Sequence, residues 1–95
     1  MLFMVIETFR KQNGKAVYRK LRDGGRGLPD GLKFVSSYVT ADLSRCFQLM
    51  ETDDPTLLDR WTAEWSDLVR FEIIPLVGSA EAATRALNPD AASSG

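Results

Sequence analysis

The residues able to bind or transform a small molecule lie mainly in two short stretches. One is S-R-C-F-Q-L-M-E (44–51), which holds Arg45, Cys46 and Gln48; the other spaces Trp61 and Trp65 by four residues. Tyr38 and Arg26 lie upstream of both. Gln48 interrupts an apolar run, and a buried amide needs a hydrogen-bond partner. That partner is either Ser37 or a neighbouring subunit, or it is the polar group of a ligand. Trp61 and Trp65 are one helical turn apart and face the same way. They are either core packing or the aromatic wall of a pocket. Arg26 and Arg45 are either solvated charges or holders of an anion. Glu7 and Glu51 end two strands and are expected to be ordinary surface acids. Paired-carboxylate catalysis would need both beside one cleft, and the catalytic residues stay unassigned.

The chain has no histidine and one cysteine, Cys46. This removes histidine bases, Ser-His and Cys-His pairs and histidine metal sites. It also removes an internal disulfide framework and cysteine zinc clusters. No metal and no cofactor is expected. A cysteine in a buried strand is ordinarily a small inert hydrophobe.

The elements that must position these groups follow from periodicity. Residues 2–8 form a continuous apolar run read as an interior strand. Asn13 offers a helix N-cap, and Gly14, Val17, Tyr18 and Leu21 make one apolar stripe up to Gly24-Gly25. Residues 25–31, G-R-G-L-P-D-G, have turn chemistry. Their spacing matches neither a phosphate loop nor a dinucleotide fingerprint, and they follow a helix. Residues 32–40 form a second strand that turns through 41–44 into the third. Pairing Thr40 with Arg45 puts Val39 opposite Cys46, Ser37 opposite Gln48 and Val35 opposite Met50. The other face then carries Phe34, Tyr38, Phe47 and Leu49, and this bulkier set is expected to face the helices.

Asp54 and Pro55 open a second helix, along which Leu58, Trp61, Trp65 and Leu68 recur at amphipathic spacing. Residues 69–77 form a fourth strand, placed at an edge by Pro75. Ser79 is expected to cap a short helix ending at Leu87, and residues 88–95 to form a disordered tail. The order β-α-β-β-α-β predicts an α+β, ferredoxin-like domain over residues 1–87. Right-handed crossovers give a four-stranded antiparallel sheet, order 4-1-3-2, with two helices on one face. The two central strands are apolar on both sides. The helices cover one side, so the other needs a cover, which predicts a homodimer.

With 95 residues the chain is one domain with a small core. A net charge of −1 gives no global attraction to nucleic acid or membrane, and neither is expected as a partner. Charge is nevertheless uneven: residues 1–33 carry +5 and residues 34–95 carry −6. That pattern fits either two complementary solvated faces or a basic patch for an anion. No stretch is long enough to span a bilayer, and M-L-F-M-V-I-E lacks signal-peptide features. The expected location is the bacterial cytoplasm.

G-R-G-L-P-D-G-L (25–32), R-C-F-Q-L-M-E (45–51), W-x-x-x-W-S-D (61–67) and F-E-I-I-P (71–75) resemble a family of small bacterial proteins, the domain of unknown function DUF3303. The resemblance extends to about Ala82 and implies a dimeric α/β-barrel fold with no established activity. Tyr38 stands where the family pattern has tryptophan. More distantly, the architecture resembles the antibiotic-biosynthesis monooxygenase and EthD-like dimeric barrels. Function does not follow from such a likeness.

The favoured expectation is a dimer that binds a small organic molecule without catalysis. Its candidate ligand-binding residues are Gln48, Trp61, Trp65, Tyr38, Arg45 and Arg26. The alternatives are a cofactor-independent monooxygenase-like or isomerase-like enzyme, and a structural or interaction module.

Overall fold

A computed structural model describes residues 1–12 and 14–88. The expected Asn13 cap, and all of the expected tail beyond Asn88, lie outside the described residues. The elements run β1 (Leu2–Phe9), a 3-10 turn (Arg10–Gln12), α1 (Gly14–Gly24), β2 (Lys33–Val39), β3 (Arg45–Glu51), α2 (Thr56–Ala63), β4 (Val69–Leu76) and α3 (Ser79–Leu87). The sheet is antiparallel in the order β2-β3-β1-β4, the expected order read from its other edge. The fold is therefore the ferredoxin-like α+β arrangement.

Alternation along β1 puts Phe3, Val5, Glu7 and Phe9 on one face, and all four are buried. The register sets Phe3 against Met50, Val5 against Gln48 and Glu7 against Cys46. On the other side of β1, Phe9 pairs with Val69. These residues, with Val17 of α1 and Leu58 and Trp61 of α2, form the core together with Trp65 just beyond α2. Both helices thus cover the same face of the sheet.

Two expectations about the sheet are corrected. Pairing holds from Val39–Cys46 to Ser37–Gln48, but a bulge between Phe34 and Ser36 sets Phe34, not Val35, opposite Met50. The helices also face Cys46, Gln48 and Met50, while Phe47, Leu49 and Tyr38 point to the open side. The bulkier set is not the helix-facing one because α2 brings its own bulk. Two indoles need small side chains beneath them, and Ser37, Val39 and Cys46 supply these.

Asp54 Oδ1 accepts from the Thr56 amide at 3.0 Å and its hydroxyl at 2.7 Å, so the expected cap operates although α2 is assigned one residue later. Ser79 is not a cap: Gly78, in extended conformation, holds that position without a side-chain bond. α1 ends as its sequence predicts. Gly25 adopts φ +67° and donates to Leu21 O at 2.8 Å. α3 has no buried residue.

Trp61 is 3% exposed and touches Phe71 at 5.8 Å between ring centroids. Trp61→Ala should cost ~3–5 kcal/mol of stability, read as a fall in urea midpoint. A loss under ~1 kcal/mol would contradict this packing.

Candidate functional site

The small residues under the two indoles leave space. A cavity of about 80 Å³ lies between the helices and the sheet. β1 contributes Glu7 and Phe9; β3 contributes Cys46 and Gln48. Ser37 and Val39 of β2 close one side, and Val17, Tyr18 and Leu21 of α1 another. Trp61, Trp65 and Arg26 complete the wall. About 10–15 Å³ of such space holds one water, so this cavity has room for several waters or a small molecule and is smaller than a drug-sized pocket.

The roof is fixed by one backbone carbonyl. Trp61 Nε1 and Trp65 Nε1 both donate to Arg26 O, at 2.9 and 3.1 Å. Arg26 lies between two glycines with positive φ, Gly25 and Gly27, which let the loop bend its carbonyl toward the indoles. The Arg26 guanidinium stacks on Phe34 at 3.8 Å from the ring centroid. Lys20 of α1 sits over the Trp65 ring at 4.7 Å and its Nζ donates to Glu64 O, tying α1 to the end of α2.

Buried polar groups form the floor. Gln48 is 5% exposed, and its Nε2 donates to Met50 Sδ at 3.1 Å, not to Ser37, which was one of the expected partners. A thioether is a weak acceptor, so the amide keeps most of its bonding capacity. Glu7 is 7% exposed, which corrects its reading as a surface acid. Burial raises its pKa above the ordinary 4.5; the Cys46 thiol, which donates to it, and the charge of Arg26 oppose this more weakly. Cys46 is pushed up to about 12 by burial and by the adjacent Glu7, so it stays a neutral thiol and is no nucleophile. Tyr18 is raised by burial and by the nearby Cys46 and Glu7.

Of the six candidate residues, the structure gathers Gln48, Trp61, Trp65 and Arg26 around this cavity. Tyr38, 71% exposed, and Arg45, stacked on Phe47 at 5.2 Å, lie on the opposite face of the sheet. The cavity adds Glu7, which the sequence reading missed. Its signal was available: Phe3, Val5, Glu7 and Phe9 form a period-two stripe, so Glu7 shares the face of three core residues.

A broader surface groove of about 820 Å³ separates α1 from the β2–β3 turn and is lined by Lys15, Arg19 and Arg22. Asp42 faces it too, held down at about 2 by bonds from Ser44 and Thr40. The groove has no buried polar floor. Among the described residues, no group of three or more His, Cys, Asp or Glu could hold a metal ion. No helix among them is long and apolar enough to cross a membrane.

The model of a family described as a domain of unknown function (DUF3303) matches residues 1–88. The chain belongs to this family. No curated protein and no solved structure matches the chain. The DUF3303 match takes in all four strands and every residue lining the cavity.

Glu7 makes stability pH-dependent with a definite sign. Below 4.5 both folded and unfolded chains carry the Glu7 proton, and its contribution is intact. As pH rises from there through the raised folded value, the unfolded chain ionises first and stability is lost. Glu7→Gln cannot titrate. Its urea midpoint, relative to the unmodified chain, should therefore rise between about pH 4 and about pH 8. A difference that does not change with pH would mean that Glu7 ionises freely when folded.

Proposed function

We propose that this chain is a homodimeric domain that binds a small organic molecule in the cavity beneath Trp61 and Trp65, without catalysing its conversion. The supporting observation is that two buried polar side chains, Glu7 and Gln48, face the same cavity with only sulfur groups as hydrogen-bond partners. A core site occupied for packing alone would be better filled by apolar side chains, because buried polar groups without strong partners cost stability. No buried side-chain nitrogen or oxygen among the described residues lacks a partner outright, and a ligand carrying polar atoms supplies stronger partners than sulfur.

The dimer rests on the other face. Leu2, Met4 and Ile6 of β1, Phe47 and Leu49 of β3, and Leu76 of β4 are only half-buried there. One end of this face carries the row Arg45–Thr8–Arg70; at the other, Lys33 offsets Glu51 in the row Lys33–Glu51–Leu2–Leu76, and the apolar residues between the two ends are what a partner would cover. A second copy related by a two-fold axis supplies a matching apolar face. A standard interface buries about 800 Å² per partner, on the scale of one sheet face.

A second reading is favoured by one observation. A buried carboxyl with a raised pKa beside a cavity is what general acid–base chemistry uses, so an isomerase-like role for Glu7 is the alternative. Trp fluorescence titrated with small metabolites should shift saturably, with the metabolite recovered unchanged; turnover would favour the alternative. Light scattering at micromolar concentration should give twice the chain mass of 10.6 kDa, and Leu49→Lys should return the mass to 10.6 kDa. A monomeric unmodified chain would rule out the dimer.

A further inference from the structure

We infer that the surface groove between α1 and the β2–β3 turn binds a small organic phosphate, its phosphate group on Lys15, Arg19 and Arg22 and its organic part against Tyr18 and Leu43. The groove is separate from the cavity beneath the indoles and shares only Tyr18 with it. The inference stands whether or not that cavity holds a ligand.

The first argument is placement. Lys15, Tyr18, Arg19 and Arg22 follow the spacing i, i+3, i+4, i+7 and so share one face of α1. That face lines the groove, and the three cations on it are exposed, free to turn toward a ligand. The turn forms the opposite wall. Its shape is held by Asp42 Oδ1, which accepts from Thr40 Oγ1 at 2.7 Å, Ser44 Oγ at 2.6 Å and the Ser44 amide at 3.0 Å. Leu43 of that turn is 59% exposed and Tyr18 41%, which gives the groove apolar surface beside its charges. At about 820 Å³ the groove is in the range of small-molecule sites.

The second argument is that the charges of α1 work against the helix. Its first turn has no acid and carries Lys15, the wrong sign for the macrodipole. Lys15 and Arg19, then Arg19 and Arg22, are like-charge neighbours one turn apart, which destabilises a helix. Among the described residues, no carboxylate oxygen lies within 4.0 Å of the charged nitrogens of Lys15 or Arg19. A bound anion relieves all three conflicts at once.

The third argument is the ligand's charge. Three cations face one acid, Asp42, whose Oδ1 is taken up by its own turn. Asp23, outside the groove, offsets Arg22 at 2.9 Å, and the balance stays positive. A phosphate monoester brings a charge of about −1.5 to −2 and three terminal oxygens, enough to meet cations spaced along a helix. A carboxylate has two oxygens and half the charge.

The test titrates the full chain by calorimetry at about pH 7.5, where a monoester is mostly doubly ionised. The probes are glucose 6-phosphate, glucuronate, glucose and inorganic phosphate. Glucose 6-phosphate is expected to bind saturably and at least ~10-fold more tightly than glucuronate, weakening as salt rises from ~50 mM to ~0.5 M, and glucose is expected not to bind. Arg19→Gln with Arg22→Gln is expected to lower that affinity at least ~10-fold with native circular dichroism. Lys15→Gln alone reads the same contact if the double variant does not fold. Arg60→Gln removes one charge from the exposed side of α2, outside the groove, and is expected to leave the affinity within about 2-fold.

Glucuronate or glucose binding as tightly as the phosphate would overturn the inference. So would full affinity in the groove variants, or an equal loss in Arg60→Gln, which would make the effect one of net charge. A single-stranded oligonucleotide that displaces glucose 6-phosphate at far lower concentration would make the groove a nucleic-acid surface instead. Absence of saturable binding by both glucose 6-phosphate and inorganic phosphate would also overturn it, and would leave the reading of the indole-covered cavity untouched.

Discussion

Two indole N–H groups converge on one carbonyl oxygen, Arg26 O, and much of the molecule's organisation follows from that contact. It spans 35 residues of sequence from Trp61 and 39 from Trp65. It pins the glycine-flanked loop to α2 and fixes where Arg26 can present its charge. Both indoles are thereby held over the sheet as a rigid lid, with no buried N–H left unpaired. A lid of that bulk determines what can lie beneath it. The sheet answers with Ser37, Val39 and Cys46, and the lid and floor do not quite meet. The cavity is thus a consequence of how the aromatic mass is distributed between layers.

The same distribution explains the sheet's second face. Phe47, Leu49 and Tyr38 would have filled the space under the helices had the register placed them there. The β2–β3 pairing sends them to the open side, and the bulge at Val35 lets Phe34 swing back to meet Arg26. One face is then a lidded cavity with a polar floor. The other is an apolar surface bounded at both ends by charged residues.

The chain order, the strand order, the edge position of β4 and the termination of α1 were legible in the sequence. Each depends on local signals: the apolar runs of residues 2–8 and 45–51, Pro75, and the Gly24-Gly25 pair. The facing of the sheet was not legible, because alternation says which residues share a side and not which side the helices take. The bulge was hidden for the same reason: K-F-V-S-S-Y-V alternates plausibly in either register. Gln48, Trp61, Trp65 and Arg26 were recognisable as a group only through residue type. What joins them is non-local, namely the loop carbonyl that both tryptophans share. Arg45 and Tyr38 were equally plausible by type and lie on the far side by parity alone.

Glu7 is the most instructive case. At its position a valine would continue Phe3, Val5 and Phe9 without interruption and would pack against Phe71 and the indoles. A carboxyl there must give up hydration, and the fold supplies it with a thiol and a distant guanidinium instead of a close cation. Burial therefore raises its pKa, because the neutral form is the cheaper one to bury. Gln48, two residues along β3 from Cys46, is in a similar position, with a thioether for a partner. Two such residues on adjacent central strands, both aimed at one void, are hard to explain as packing. Each weakens the core, yet together they give the cavity a carboxyl group and an amide. Polar groups that face a cavity with only weak sulfur partners are suited to recognising a ligand that offers stronger ones.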